Sequence, residues 1–151
     1  KPALALSLHT TKAALRAELL PRAPRIAPAE LVEQGERYAR ATGYPIQYQW
    51  TLLDGINDGD GEVEGIVALL QGKYAIMNMI PYNAVDGLPY ARPAPERAAA
   101  MARALNQRGV LTKLRQSAGQ DIDAGCGQLR ARSGVGARCI PIVNVRPESA
   151  P

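Results

Sequence analysis

Apolar and polar residues alternate along this chain in two different periods, and their exchange predicts four strand–helix units. Residues 3–9 (ALALSLH) make an apolar run of strand length, with polar residues only at its carboxyl end. Thr10 and Thr11 can cap a short helix reaching about Leu20, which Pro21 stops. Residues 21–28 (PRAPRIAP) read as a Pro-rich connector, because helical patterning resumes at Pro28 and continues to about Thr42, with Gly43 as its stop. In residues 46–53, Ile46, Tyr48, Trp50 and Leu52 alternate with Gln47, Gln49 and Thr51, the pattern of a half-buried strand. Turn chemistry fills residues 54–61 (DGINDGDG). A helix then fits 62–70, a third strand 75–80, a helix 96–108 ended by Gly109, and a fourth strand 110–114.

Strands that alternate with helices in this way predict an α/β fold with a parallel sheet and right-handed crossovers. Four such units make a (β/α) half-barrel, part of a TIM-type barrel, which cannot close on itself. Its open edges predict a dimer or aggregate for the isolated piece. Ligand-binding groups belong at the carboxyl ends of the strands, where His9, residues 54–58, Asn83 and Cys126 all fall. Residues 1–132 form the expected domain. Residues 133–151 have no clear period and are expected to be irregular.

Composition narrows the class without naming a function. Of the 151 residues, 46% are hydrophobic and 21% charged, which suits a globular domain, and the lack of Phe leaves the core to aliphatic side chains. Lys and Arg number 18 against 14 Asp and Glu, a net +4 that is compatible with a polyanionic partner but does not argue for one. Two cysteines, Cys126 and Cys139, are too few for a disulfide scaffold and fit a reducing cytoplasm. No apolar run is long enough for a membrane span. The chain starts at Lys1 and enters a strand almost at once, as a cut through a larger protein would.

The stretch with the most evident chemistry is 121–129 (DIDAGCGQL). Gly125 and Gly127 strip side chains from both flanks of Cys126, so the sulfur can stand clear of the backbone. Asp121 and Asp123 are within reach, and Gln128 opens the next turn, whose free N–H groups favour a thiolate. Taken alone, Cys126 reads more readily as a buried structural cysteine than as a reactive one. Residues 54–60 resemble a calcium loop in composition but lack its bidentate Glu, and read as a turn. Tyr48, Trp50 and Leu52 read as core, with base stacking by Trp50 the lesser reading. Arg92, Arg97, Arg103 and Lys113 read mostly as solvated surface. Arg115, just before the cysteine loop, is the basic residue best placed to touch an RNA phosphate.

Five motifs in one order carry a family resemblance: SLH at 7–9, LLDGINDG at 52–59, MNMIPYN at 77–83, GLPY at 87–90 and DIDAGCGQL at 121–129. Together they resemble the C-terminal half of the RlmN/Cfr-type radical S-adenosylmethionine RNA methyltransferases, over about residues 3–132. The resemblance implies methylation of an adenine ring carbon in 23S rRNA and, in some members, in tRNA. It assigns Cys126 as the residue that carries the methyl group, and Ser7, Leu8, His9 and Asn83 as S-adenosyl-L-methionine contacts. It implies that a second S-adenosylmethionine is cleaved at a 4Fe–4S cluster, giving a radical that activates the methylated cysteine. Radical chemistry suits the task, because an amidine carbon of adenine is not nucleophilic.

The departures are specific. The cluster motif CxxxCxxC is absent, since only two cysteines occur and neither has that spacing. The cluster half, the RNA-binding N-terminal portion and the resolving cysteine are expected before Lys1, so the fragment alone is expected to be inactive. Gln49-Trp50 stands where the family usually has Glu-Tyr. Two other classes remain open: a non-catalytic RNA-binding or self-associating remnant, and a hydrolase using Cys126, His9 and an Asp.

Overall fold

A computed structural model describes residues 2–115 and 146–148. The elements run β1 (Ala3–Ser7), α1 (Ala13–Leu19), α2 (Pro28–Thr42), β2 (Ile46–Leu52), α3 (Asp60–Leu70), β3 (Ala75–Pro81), α4 (Pro95–Gln107), β4 (Thr112–Leu114) and β5 (Arg146–Glu148). The order across the sheet is β4-β3-β2-β1-β5, with β1 to β4 all parallel. This is the expected α/β architecture, with β2, β3 and β4 each reached from the preceding strand through at least one helix.

The punctuation residues act as their chemistry requires. Pro28 occupies the first turn of α2, where its missing N–H costs nothing, and Gly43 ends the helix at φ 79° while its N–H bonds Ala39 O at 2.8 Å. Where the structure departs from expectation, a long-range contact is responsible. The first helix starts at Ala13 rather than at the two threonines, with Lys12 at its N-cap and no side-chain cap bond. Thr10 and Thr11 instead turn their hydroxyls to Glu62, 52 and 51 positions away in sequence.

The edge beside β1 also departs from expectation. It is not open over residues 3–5, because β5 pairs with it antiparallel, with Ala3 opposite Glu148 and Ala5 opposite Arg146. A three-residue strand is too short to show a period, and Pro147, which has no N–H to donate, is tolerated on an outermost strand.

The core lies between the sheet and α2, α3 and α4, filled by Leu6, Tyr48, Trp50, Met77, Met79, Ile66 and Met101, all nearly inaccessible. Trp50 is fully buried there, which bears out the core reading and leaves it no face for a base. A helix–sheet contact this close needs a small residue, and Gly35 of α2 provides it. A Cβ at Gly35 would lie 2.5 Å from the Tyr48 hydroxyl oxygen and 3.3 Å from Ile46. Gly35→Ala should therefore destabilise the protein by about 1–3 kcal/mol through overpacking. Chemical denaturation of Gly35→Ala with and without Tyr48→Phe checks this, since removing the hydroxyl should restore part of the loss.

Candidate functional site

The carboxyl ends of β1, β2 and β3 meet in a set of buried, fully specified polar contacts. β1 stops at Ser7, and the chain turns so that the Leu8 and His9 N–H groups both reach Gln49 O of β2, at 3.0 and 3.4 Å. His9 takes φ 60°, the one positive value at a non-glycine among the described residues. That turn folds the imidazole inward, where it is 1% exposed and its Nδ1 accepts the Thr51 N–H at 2.9 Å. With Nδ1 committed as an acceptor, the neutral ring carries its proton on Nε2.

Asn57 closes the arrangement from the other side. Its Nδ2 donates to His9 O at 2.7 Å and Thr51 O at 2.8 Å, and its Oδ1 accepts the Leu53 N–H at 2.8 Å. One inaccessible amide thus ties the end of β1 to the end of β2. This explains the residue types of the LLDGINDG turn. Asp58 accepts the Gly55 N–H at 3.0 Å and stabilises the turn, while Arg97 of α4 donates to Asp58 O and pairs with Asp60 at 3.0 Å. Arg97 is therefore more than the solvated cation that its sequence context suggests.

Glu62, in the first turn of α3, is 2% exposed and holds the segment after His9. Its Oε2 accepts the Thr10 hydroxyl, and its Oε1 accepts both the Thr11 hydroxyl and, at 3.0 Å, the Thr11 N–H. Arg16 of α1 supports the same strand end, donating from Nη2 to Ser7 O at 2.9 Å. Burial pushes its guanidinium below the usual arginine value.

The sequence-predicted residues separate clearly. Ser7, Leu8 and His9 do lie at the carboxyl edge, but the Leu8 side chain belongs to the core, so anything it offers a ligand comes from its main chain. Asn83 lies two residues past β3, and its Oδ1 accepts from Arg92 at 3.0 Å. Its loop is held down by a second apolar cluster of Leu19, Leu20, Leu53, Tyr82 and Val85. Tyr90 closes that cluster edge-on against Tyr82, with ring centroids 5.9 Å apart. Arg115 follows β4, its N–H on Met79 O at 2.8 Å and its side chain exposed. Cys126 and its neighbours Asp121, Asp123 and Gln128 lie outside the described residues.

Across the sheet, Ser7, Gln49, Asn78 and Lys113 pair in register, so all four sit in one row on the face opposite the core. Asn78 donates to Gln47 Oε1 at 3.1 Å. Gln49 of the Gln49-Trp50 pair thus neighbours Ser7 directly, whereas Trp50 faces away. Neither Asn57 nor Glu62 stands out in the sequence as a site residue, because their partners are strand ends that a local reading cannot bring near.

No family model matches the chain. It is 75% identical over 142 residues to a probable RNA methyltransferase of Methylibium petroleiphilum, covering 94% of this chain and 40% of that protein. A probable RNA methyltransferase of Leptothrix cholodnii is 76% identical over 132 residues, covering 87% of this chain and 38% of that protein. Among solved structures, a radical SAM methyltransferase from Sphaerobacter thermophilus superposes with a TM-score of 0.79 at 39% identity, over 85% of this chain and 38% of that one. A domain of pyruvate-formate lyase-activating enzyme from Bacteroides vulgatus superposes with a TM-score of 0.59 at 16% identity, which is a likeness of fold. The chain spans about two fifths of the length of the curated relatives that it matches.

Proposed function

We propose, for this chain of the RlmN/Cfr-type radical S-adenosylmethionine methyltransferase family, that it supplies the cofactor-contacting strand ends and the methyl-carrying cysteine of an RNA methyltransferase. The product is a methylated adenine ring carbon of 23S rRNA or tRNA. The observation that carries this reading is the clasp at the carboxyl edge. Asn57 and His9 fix the end of β1 against β2, so that Ser7 and the main chain of Leu8 and His9 are held rigid at the sheet edge.

Those groups suit S-adenosylmethionine in kind. The Ser7 hydroxyl and the Asn83 amide can hydrogen-bond a ribose, amine or carboxylate, and a sheet edge positions them without side-chain search. When bound, S-adenosylmethionine supplies the methyl group and the source of the radical. The residues present do not fit a 4Fe–4S cluster, because the chain has two cysteines without the cluster spacing. The cluster ligands are assigned to the part of the protein beyond this chain, as are most contacts with the RNA. In this chain Cys126 carries the methyl group, Arg115 touches RNA phosphate, and the setting is cytoplasmic.

The test uses the full-length protein purified without oxygen. Intact-protein mass spectrometry should find one added methyl that localises to Cys126 and disappears in Cys126→Ala. A bare Cys126 in protein that holds iron and sulfide would overturn the carrier role. It would favour a remnant that binds RNA without modifying it.

A further inference from the structure

Among the described residues, Arg16 is a buried cation without a counter-charge. Arg16 is 7% exposed, its Nη2 donates to Ser7 O, and its buried Nε meets no acceptor among the described residues. No carboxylate among the described residues lies within ion-pairing distance of it. Arginine cannot relieve this by losing its proton, and a buried charge with no opposite partner is costly.

Beside it, between α1 and the connector at residues 20–27, lies a cavity of about 320 Å³. Its walls are short side chains such as Ala13, Ala17, Pro24 and Ala27, and its charged groups are Arg16 and Arg25. Along residues 12–25 the charge is one-sided. Lys12, Arg22 and Arg25 are exposed, and Glu18 is the one acid in residues 12–25.

From this geometry we infer that the cavity takes a phosphodiester group of bound RNA, held by Arg16 and Arg25. The inference rests on the RNA substrate proposed above. A guanidinium offers a planar fork that matches two phosphate oxygens, and small apolar walls let the backbone of a polyanion come close. Two further exposed cations of the same segment, Lys12 and Arg22, suit a polyanionic strand rather than a single free ion. Through its bond to Ser7 O, Arg16 would then link RNA occupancy to the strand end that carries the cofactor contacts.

The test is fluorescence anisotropy of the full-length protein with labelled tRNA, across roughly 50 to 200 mM KCl. Arg25→Gln should weaken binding about 3- to 10-fold and lower the slope of log K against log salt by about 1. Arg16→Lys keeps the charge but loses the fork, and should weaken binding when measured at a temperature where the variant is fully folded. Arg103→Gln, an exposed cation on α4, should leave the slope in place.

An unchanged slope in Arg25→Gln, or an equal fall in Arg103→Gln, would overturn the site. Calorimetric binding of inorganic phosphate that depends on Arg25, without any effect on tRNA, would assign the cavity to a free anion and overturn the RNA assignment. Wild-type protein that binds neither tRNA nor a labelled 23S rRNA fragment in the same assay would sink this inference and the RNA substrate together. Normal tRNA binding with a bare Cys126 would sink only the methyl-carrier reading.

Discussion

Asn57→Asp should cost the protein about 3–5 kcal/mol, although it exchanges one nitrogen for oxygen. The amide donates to two carbonyl oxygens, of His9 and Thr51, from a site with no solvent access. A carboxylate there loses both bonds and points its charge at the same two oxygens. Asn57→Ala removes the donor without adding repulsion, and should cost less, about 2–4 kcal/mol, the penalty of leaving His9 O, Thr51 O and the Leu53 N–H unpaired. In urea the midpoint of Asn57→Asp should fall by about 1 M or more, with Asn57→Ala between it and the wild type. A variant ranking with alanine below aspartate would show that the amide fills space and does not clasp the strands.

That clasp marks the boundary of what could be read in the sequence. The four strands are legible because each is a short apolar run bounded by Gly, Pro or Asp, and the helices because their stops are Pro21, Gly43 and Gly109. The parallel sheet follows from the alternation alone. The placing of candidate groups at strand ends follows from the same topology, and so Ser7, His9 and Asn83 lie where they were expected. Arg115 does too, just past β4.

What the sequence cannot display is which polar residue is turned inward. Asn57 sits among six other turn residues with the same composition, and nothing local distinguishes it from Asn83. Glu62 looks like an ordinary acidic residue in a first helical turn, stabilised by the dipole. Its three bonds run to residues 51 and 52 positions away. The threonines mislead for the same reason, since a hydroxyl before a helix is a cap only if no better acceptor reaches it. The strand at Arg146–Glu148 is invisible because it is defined by the edge it joins.

Glu62→Ala should release the segment after β1 at a cost of about 2–4 kcal/mol, since it strips a charged acceptor from the two hydroxyls and the Thr11 N–H. Glu62→Gln should cost about 1 kcal/mol, because the amide keeps one oxygen for Thr11 and a hydroxyl can rotate to accept from the new NH2 group. The neighbouring residue sharpens the test. A Cβ at Gly65 would come within 3 Å of the Thr11 side chain, so Gly65→Ala displaces Thr11 from the same carboxylate without touching Glu62. Amide hydrogen exchange separates a local from a global effect. Residues 10–12 should lose protection in both Glu62→Ala and Gly65→Ala, while the amides of β2 and β3 stay slow. Because Thr10 follows directly on His9, the same variants should loosen the turn that presents Ser7 to His9. In the full-length protein, S-adenosylmethionine affinity should then fall in step with the exchange at residues 10–12. Retained affinity despite fast exchange there would place the rigidity of that strand end in the Asn57 clasp alone.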